Sequence, residues 1–164
     1  MLRVMREKKV QFAAPSPIER LFSRVFGILV GLGLGFPHNY QLQVRGRRSG
    51  RLYSTPVDVL VHRGKRFLVA GRGETQWVRN ARASGQVTLR RGGRREELRV
   101  RTLPDIEKPE VLKAYLDRFK VTVQRYFPVP AGSPAEDLAP LAPRYPVFEL
   151  IPASRVDPEE SVRR

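Results

Sequence analysis

The segment Gly46-Arg47-Arg48-Ser49-Gly50-Arg51 packs three guanidinium groups, a hydroxyl and glycine-flanked backbone N–H groups into six residues. Arginine forks combined with backbone donors suit the recognition of a phosphate or a carboxylate. A plain hairpin loop with solvated arginines is the equally open alternative. A second segment, Ala70-Gly71-Arg72-Gly73-Glu74-Thr75-Gln76-Trp77, places small residues at a strand end just before a helix start. Small residues let a planar ring lie against backbone, and a helix N-terminus beside it favours anions. The alternative there is an ordinary strand–loop–helix connection with Trp77 as a core anchor.

Most other chemistry is excluded by composition. The chain has no cysteine and two histidines, His38 and His62. That removes thiol nucleophiles, cysteine-type zinc sites and iron–sulfur clusters, and it argues against any multi-histidine metal centre. No nucleophile elbow, Walker A motif, dinucleotide fingerprint or H-E-x-x-H motif is present. An enzyme built from these residues borrows its chemistry from a cofactor. His38 reads as a turn residue, His62 and Asp58 as surface polarity. Arg90, Arg91, Arg94 and Arg95 read as a solvated hairpin tip.

Charge points to an anionic ligand. Lys plus Arg is 31 against 16 Asp plus Glu, a net charge of +15. Residues 1–51 carry +8 (10 basic, 2 acidic), residues 52–104 carry +8 (12 and 4) and residues 105–164 carry −1 (9 and 10). The excess therefore lies in the part of the chain that holds both segments. Such a field attracts nucleic acid, anionic lipid or a phosphorylated or carboxylated small molecule.

The elements that must position these residues follow from periodicity. Residues 1–15 read as a flexible basic lead. Ser16-Pro17-Ile18-Glu19 is a capping box. From there, Ile18, Leu21, Phe22, Val25, Leu29 and Leu32 recur at helical spacing until Gly33, Gly35 and Pro37. The uncharged run Val25–Phe36 has 12 residues, short of the roughly 20 a span needs. Strands are expected at Tyr40–Arg45, Pro56–His62 (Val57, Val59 and Val61 on one face), Arg66–Gly71, Gln86–Arg90, Arg94–Leu103 and Val147–Ile151. Thr75 caps a short helix through Ala83. Pro109–Gln124 is a third helix, with Leu112, Tyr115, Leu116, Phe119 and Val123 as its stripe. A Pro/Gly/Ala-rich loop covers Phe127–Tyr145, and residues 153–164 form a polar tail. Six short strands joined mostly by tight turns, with three helices and no alternating βα units, predict a mainly β fold, a small antiparallel barrel with packed helices, as one domain over 16–152.

Taken in order, Gly46-Arg47-Arg48-Ser49-Gly50, Thr55-Pro56, Val69-Ala70 with its glycine-rich turn, and Trp77-x-x-Asn80 resemble the deazaflavin-dependent nitroreductase family over about residues 17–152. The resemblance implies an FMN-binding-like split β-barrel and the cofactor coenzyme F-420, an 8-hydroxy-5-deazaflavin carrying a phosphate and an oligoglutamate tail. It implies that Arg47, Arg48 and Ser49 hold the polyanionic tail. Ser54, Thr55, Pro56, Val57, Ala70, Gly71, Arg72, Gly73, Gln76, Trp77, Val78 and Asn80 are then cofactor-binding, and Tyr126 lines the substrate side as the catalytic candidate. The strand-to-helix loop is shorter than in nitroimidazole-reducing members, and one late tyrosine has an evident match. The implied reaction is hydride transfer to a quinone, nitro compound or activated alkene.

Two other readings stand beside it: a basic β-barrel nucleic-acid-binding module, and a relative using flavin mononucleotide (FMN). The nucleic-acid reading lacks interleaved aromatics that would stack bases, so no nucleic acid is expected, and no metal. The wide stripe of the first helix, including Phe26, Ile28 and Leu34, with Lys8, Lys9, Arg20 and Arg24 beside it, predicts peripheral contact with anionic membrane. A homodimer interface or a buried helix is the equal alternative. A cytoplasmic protein, peripheral on the inner face of the membrane, is the matching expectation.

Overall fold

Alternation along the strands decides what each face of the sheet buries. In a strand, successive side chains point to opposite faces. Here Leu68 packs into one apolar cluster, with Leu42, Val59, Leu89, Leu98, Phe148 and Leu150, while its neighbours Phe67 and Val69 pack into another, with Leu112, Leu116 and Phe119. A strand apolar on both faces must be covered on both. The sheet meets this demand by closing on itself around the first cluster and carrying a helix over the second.

The computed structural model describes residues 37–153. The strands are β1 (Asn39–Arg45), β2 (Leu52–His62), β3 (Lys65–Val69), β4 (Gln86–Arg91), β5 (Arg94–Thr102) and β6 (Val147–Pro152). They form a closed antiparallel barrel in the order β1-β2-β3-β6-β5-β4. The helices are α1 (Gln76–Ser84), α2 (Lys108–Val123) and α3 (Ala135–Leu138). Val78 and Ala81 of α1 are fully buried against the barrel interior. The stripe of α2 packs on the outer wall with all five of its predicted residues buried.

The expected six-stranded antiparallel barrel is therefore observed, with the second and third predicted helices as α1 and α2. The basic lead, the first helix and the polar tail lie outside the described residues.

Four local expectations are corrected. The second strand starts at Leu52, not Pro56. Pro56 lacks an N–H, yet it lies inside the strand opposite Gln41 of β1. It is tolerated because β2 pairs with β3 over Val59–His62 alone. The first half of β2 thus has one strand neighbour, and no ladder bond is lost on its other side. The valine face is not uniform: Val59 is buried, but Val61 is 68% exposed next to the Arg63-Gly64 turn. Asp58 is not plain surface polarity; it accepts a hydrogen bond from Asn39 and lies 3.6 Å from His38 Nε2. His38 itself packs against Phe119, ring centroids 4.8 Å apart. Burial pushes the Asp58 carboxyl up, while His38 and Asn39 pull it back. Lastly, residues 127–145 are not bare loop. They hold α3 and a 3-10 turn at Ala139–Arg144, anchored by buried Leu138 and Ala142 and by Phe127 stacked on Tyr145 at 4.4 Å.

Candidate cofactor site

The half-paired strand β2 opens the site. β3 leaves the sheet after Val69, and the chain turns through Gly73, whose φ of +80° is a left-handed conformation that suits glycine. It then enters α1. Between this turn, the first half of β2 and the β1–β2 hairpin lies a cavity of about 690 Å³.

Ten of the residues expected at a cofactor line it. Arg47, Arg48 and Ser49 come from the hairpin loop, Ser54, Thr55 and Pro56 from β2, and Arg72, Gln76, Trp77 and Asn80 from the turn and α1. Three guanidinium groups and no carboxylate stand among these lining residues. Glu74, the nearest acid in sequence, is held instead by Arg82 at 2.7 Å, and that bond keeps its carboxyl below the usual range.

Arg47 is latched. Its backbone N–H donates to Asn80 Oδ1 at 3.1 Å, and its Nη1 donates to the same oxygen at 2.9 Å and to Gln76 Oε1 at 3.0 Å. Asn80 is 5% exposed. A buried amide thus fixes the hairpin loop to the helix and aims one guanidinium across the cavity mouth. Ser49 Oγ and Tyr53 OH lie 3.2 Å apart, and Ser49 Oγ accepts from Arg51 N–H.

The other predicted residues are placed elsewhere. Ala70, Gly73 and Val78 are buried, Ala70 and Val78 in the interior cluster, and Val57 packs partly on that cluster. Gly71 and Tyr126 meet each other: a Cβ on Gly71 would lie 3.5 Å from Tyr126 Cδ2. The Tyr126 ring carries Arg125 over it at 4.9 Å, and its carbonyl accepts from Tyr145 OH at 2.6 Å. Trp77 both lines the cavity and packs on the interior cluster, 6.0 Å from Phe148. Gly46 and Thr75, from the two candidate segments, also line it, and so do Val44 and Tyr53, which lie outside those segments. The strand register is the signal for that pair, since Val44 faces Tyr53 across the β1–β2 ladder.

A second cavity, also about 690 Å³, lies by the β4–β5 hairpin and holds none of the predicted site residues. Arg66 there is neutralised by Glu96 through two bonds of 2.6 and 2.8 Å. Arg91 donates to the Pro37 carbonyl and lies over the Tyr40 ring, so that tip is not simply solvated. Among the described residues no group of His, Asp or Glu could hold a metal ion.

A closed antiparallel barrel with an arginine-lined cavity beside a short helix defines a split-barrel cofactor-binding protein. The chain belongs to the F420H(2)-dependent quinone reductase family, whose sequence profile matches residues 20–126. The family's description names F420H(2) as the reductant and a quinone as the acceptor. Similar solved structures include a protein of unknown function from Agrobacterium tumefaciens: 19% identity, TM-score 0.51, 85% of this chain and 59% of that one covered. One described as a domain-swapped dimer has 18% identity and a TM-score of 0.50, covering 82% and 99%. An F420-H2 dependent reductase, FDR-A, has 18% identity and a TM-score of 0.48, covering 70% and 94%. The chain spans 59% of the length of the Agrobacterium protein. No curated protein matches the sequence significantly.

The residues present fit the cofactor. Its phosphate and glutamates are anionic, and the lining offers Arg47, Arg48 and Arg72 without a competing acid. Thr75 Oγ1, in a residue of the same lining, is buried without a partner.

Proposed function

We propose that the protein reduces a quinone with reduced coenzyme F-420, and that the cavity between the β1–β2 hairpin and α1 is where the coenzyme is held. The latched Arg47 in a cavity wall free of carboxylates carries this reading. Bound there, the reduced coenzyme supplies a hydride from C5 to an electron-poor acceptor. Arg47, Arg48 and Ser49 hold the phosphate and glutamate oxygens through charged hydrogen bonds. Arg72 adds positive charge from the opposite wall. Trp77, anchored on the interior cluster, gives the ring system a rigid flank. Ser54, Thr55 and Pro56 line the unpaired edge of β2, and Gly71 lets Tyr126 approach the end of β3. Tyr126 then stands on the acceptor side and supplies the proton that completes reduction.

The quinone is supported by the family's description, and the positive field is accounted for by a polyanionic coenzyme rather than by nucleic acid. A homodimer is supported by the dimeric structural neighbour, and light scattering tests it. The apolar stripe that the sequence predicts for a helix in residues 18–34, outside the described residues, supports contact with anionic membrane, which suits a lipid-soluble acceptor; liposome co-sedimentation tests that. For the main proposal, the protein is mixed with reduced F-420 and a water-soluble quinone, and deazaflavin oxidation is followed optically. Turnover with F-420, and none with reduced FMN, is expected. Quinone reduction with FMN alone would overturn the assignment.

A further inference from the structure

The β4–β5 hairpin sets four arginines against one another. Its register pairs Arg90 with Arg95 and Arg91 with Arg94, next to the Gly92-Gly93 turn. Residues directly opposite in an antiparallel ladder share a face, and like charges there destabilise the pairing. Neither the turn nor the core asks for this arrangement. The turn is glycine, and Arg94 is exposed and makes no hydrogen bond or ion pair among the described residues. Two cations held side by side at that cost point to an anion that comes from outside the chain.

The fold places one of these pairs over a cavity. Side chains alternate along a strand, so Arg91 shares the face of Leu89, which is buried in the barrel interior. Arg91 and Arg94 thus stand at the barrel mouth, and both line the cavity of about 690 Å³ there. This mouth is remote from the candidate cofactor cavity. The hairpin meets the start of β1, with Arg90 opposite Gln41, whereas the cofactor cavity lies past the other end of β1, at Arg45. Arg91 is held in place, since it donates to the Pro37 carbonyl and lies 5.9 Å over the Tyr40 ring. The carboxylate in the lining, Glu96, is taken up by Arg66 through bonds of 2.6 and 2.8 Å, and Arg95 meets Glu97 at 3.3 Å. The Arg91–Arg94 pair is left without a counter-charge. Two guanidinium forks match one tetrahedral dianion, and Leu89 with the Tyr40 ring offers an apolar floor for the group that carries it. We propose that the barrel mouth at the β4–β5 hairpin is a second anion site, which binds a phosphate monoester through Arg91 and Arg94. Soluble esters and a phosphatidate headgroup carry the same dianion, and the test separates them.

The test is calorimetric titration of the full chain with phenyl phosphate, and co-sedimentation with phosphatidate vesicles beside phosphatidylglycerol vesicles of equal charge. The parent is expected to bind phenyl phosphate, or to sediment selectively with phosphatidate, and which of the two it does names the source. Arg94→Gln removes no bond of the folded chain. It should weaken that binding by roughly tenfold or more, the loss typical of a charged hydrogen bond, without lowering the melting temperature. Arg47→Ala/Arg48→Ala, at the other cavity, should bind as the parent does. Arg94→Glu should abolish binding and, by pairing with Arg91, raise the melting temperature of the ligand-free protein at low salt. A parent that binds neither probe, or sediments equally with both kinds of vesicle and ignores phenyl phosphate, would overturn the inference. So would undiminished binding in Arg94→Gln, or an Arg94→Glu protein that melts no higher than the parent. Loss of binding in the Arg47→Ala/Arg48→Ala variant would overturn it by moving the phosphate to the other cavity. Single-stranded RNA without a terminal phosphate, bound more tightly than either probe and released by Arg94→Gln, would overturn it in favour of a diester backbone.

Discussion

A buried amide, Asn80, decides where the most useful guanidinium points. Asn80 Oδ1 takes two hydrogen bonds from Arg47, one from its backbone and one from its side chain. Asn80→Ala should therefore act through Arg47, which is exposed and free to move once released. Binding of F-420 is expected to weaken about three- to tenfold, more at low salt than at high, because the loop's charge stays but its aim is lost. Titration at two ionic strengths checks this; a loss that ignores salt would place Asn80 in a purely structural role. Tyr126→Phe tests a different atom, removing the hydroxyl and leaving the ring beside Gly71. Turnover should fall by roughly a hundredfold while F-420 affinity, read by titration, stays put. The arginines, Trp77 and Asn80 were legible in the sequence as a spaced set. The latch was not, because it joins Arg47 to Asn80 across 33 residues. Thr75 stands at the N-cap, as its sequence position predicts, but without a side-chain cap bond.

At the scale of elements, the site depends on how the β1–β2 hairpin is closed. Gly46 N–H donates to Arg51 O at 2.7 Å, and Gly50 N–H to Gly46 O at 2.9 Å. A Cβ on Gly46 would lie 2.6 Å from Tyr53 Cε2 and 2.7 Å from Ser49 Oγ. Gly46→Ala must then displace two half-open cavity residues and break their mutual contact. Weaker F-420 binding with a melting temperature within a few degrees of the parent is expected, since both neighbours are exposed and can yield. A cooperative loss of fold would show that the loop is part of the core. Strand periodicity placed all six strands and the stripe of α2. It failed where a proline-bearing stretch, Leu52–Pro56, forms the half of β2 that pairs with β1 alone, because the Val/Ile pattern that marks strands reports burial and Tyr53, Ser54, Thr55 and Pro56 line the cavity instead. It failed again at residues 127–145, where proline and alanine hide buried anchors such as Leu138 and Ala142.

For the whole molecule, charge and closure act together. Among the described residues no helix is long and apolar enough to cross a membrane. The sheet is tied across β3, β5 and β6 by Glu149, which is 8% exposed and meets Arg101 at 2.7 Å and Lys65 at 3.1 Å. Burial pushes its carboxyl up, but the bonds from Arg101 and Lys65 outweigh it and hold the carboxyl below the usual glutamate value. A lowered value means that the ionised form stabilises the fold above the unfolded-state value and that this contribution is lost as pH falls through the folded-state value. Stability should therefore drop as pH falls below about 4.3, the unfolded glutamate value. Glu149→Gln should cost about 1–3 kcal/mol at neutral pH and flatten that acid limb. Thermal melts from pH 7 to pH 3 check both; parallel curves for the two proteins would remove Glu149 from the account.

If the arginine-lined cavity holds a polyanionic deazaflavin, a fluorescence titration with F-420 separates the parent from the Arg47→Ala/Arg48→Ala double variant. Both arginines are exposed, so their removal should leave the melting temperature nearly unchanged. Each charged hydrogen bond lost is worth roughly 1.5–3 kcal/mol, so the dissociation constant should rise by at least tenfold, and the parent's affinity should fall with added salt while the variant's falls less. An unchanged dissociation constant in a folded double variant would contradict the claim.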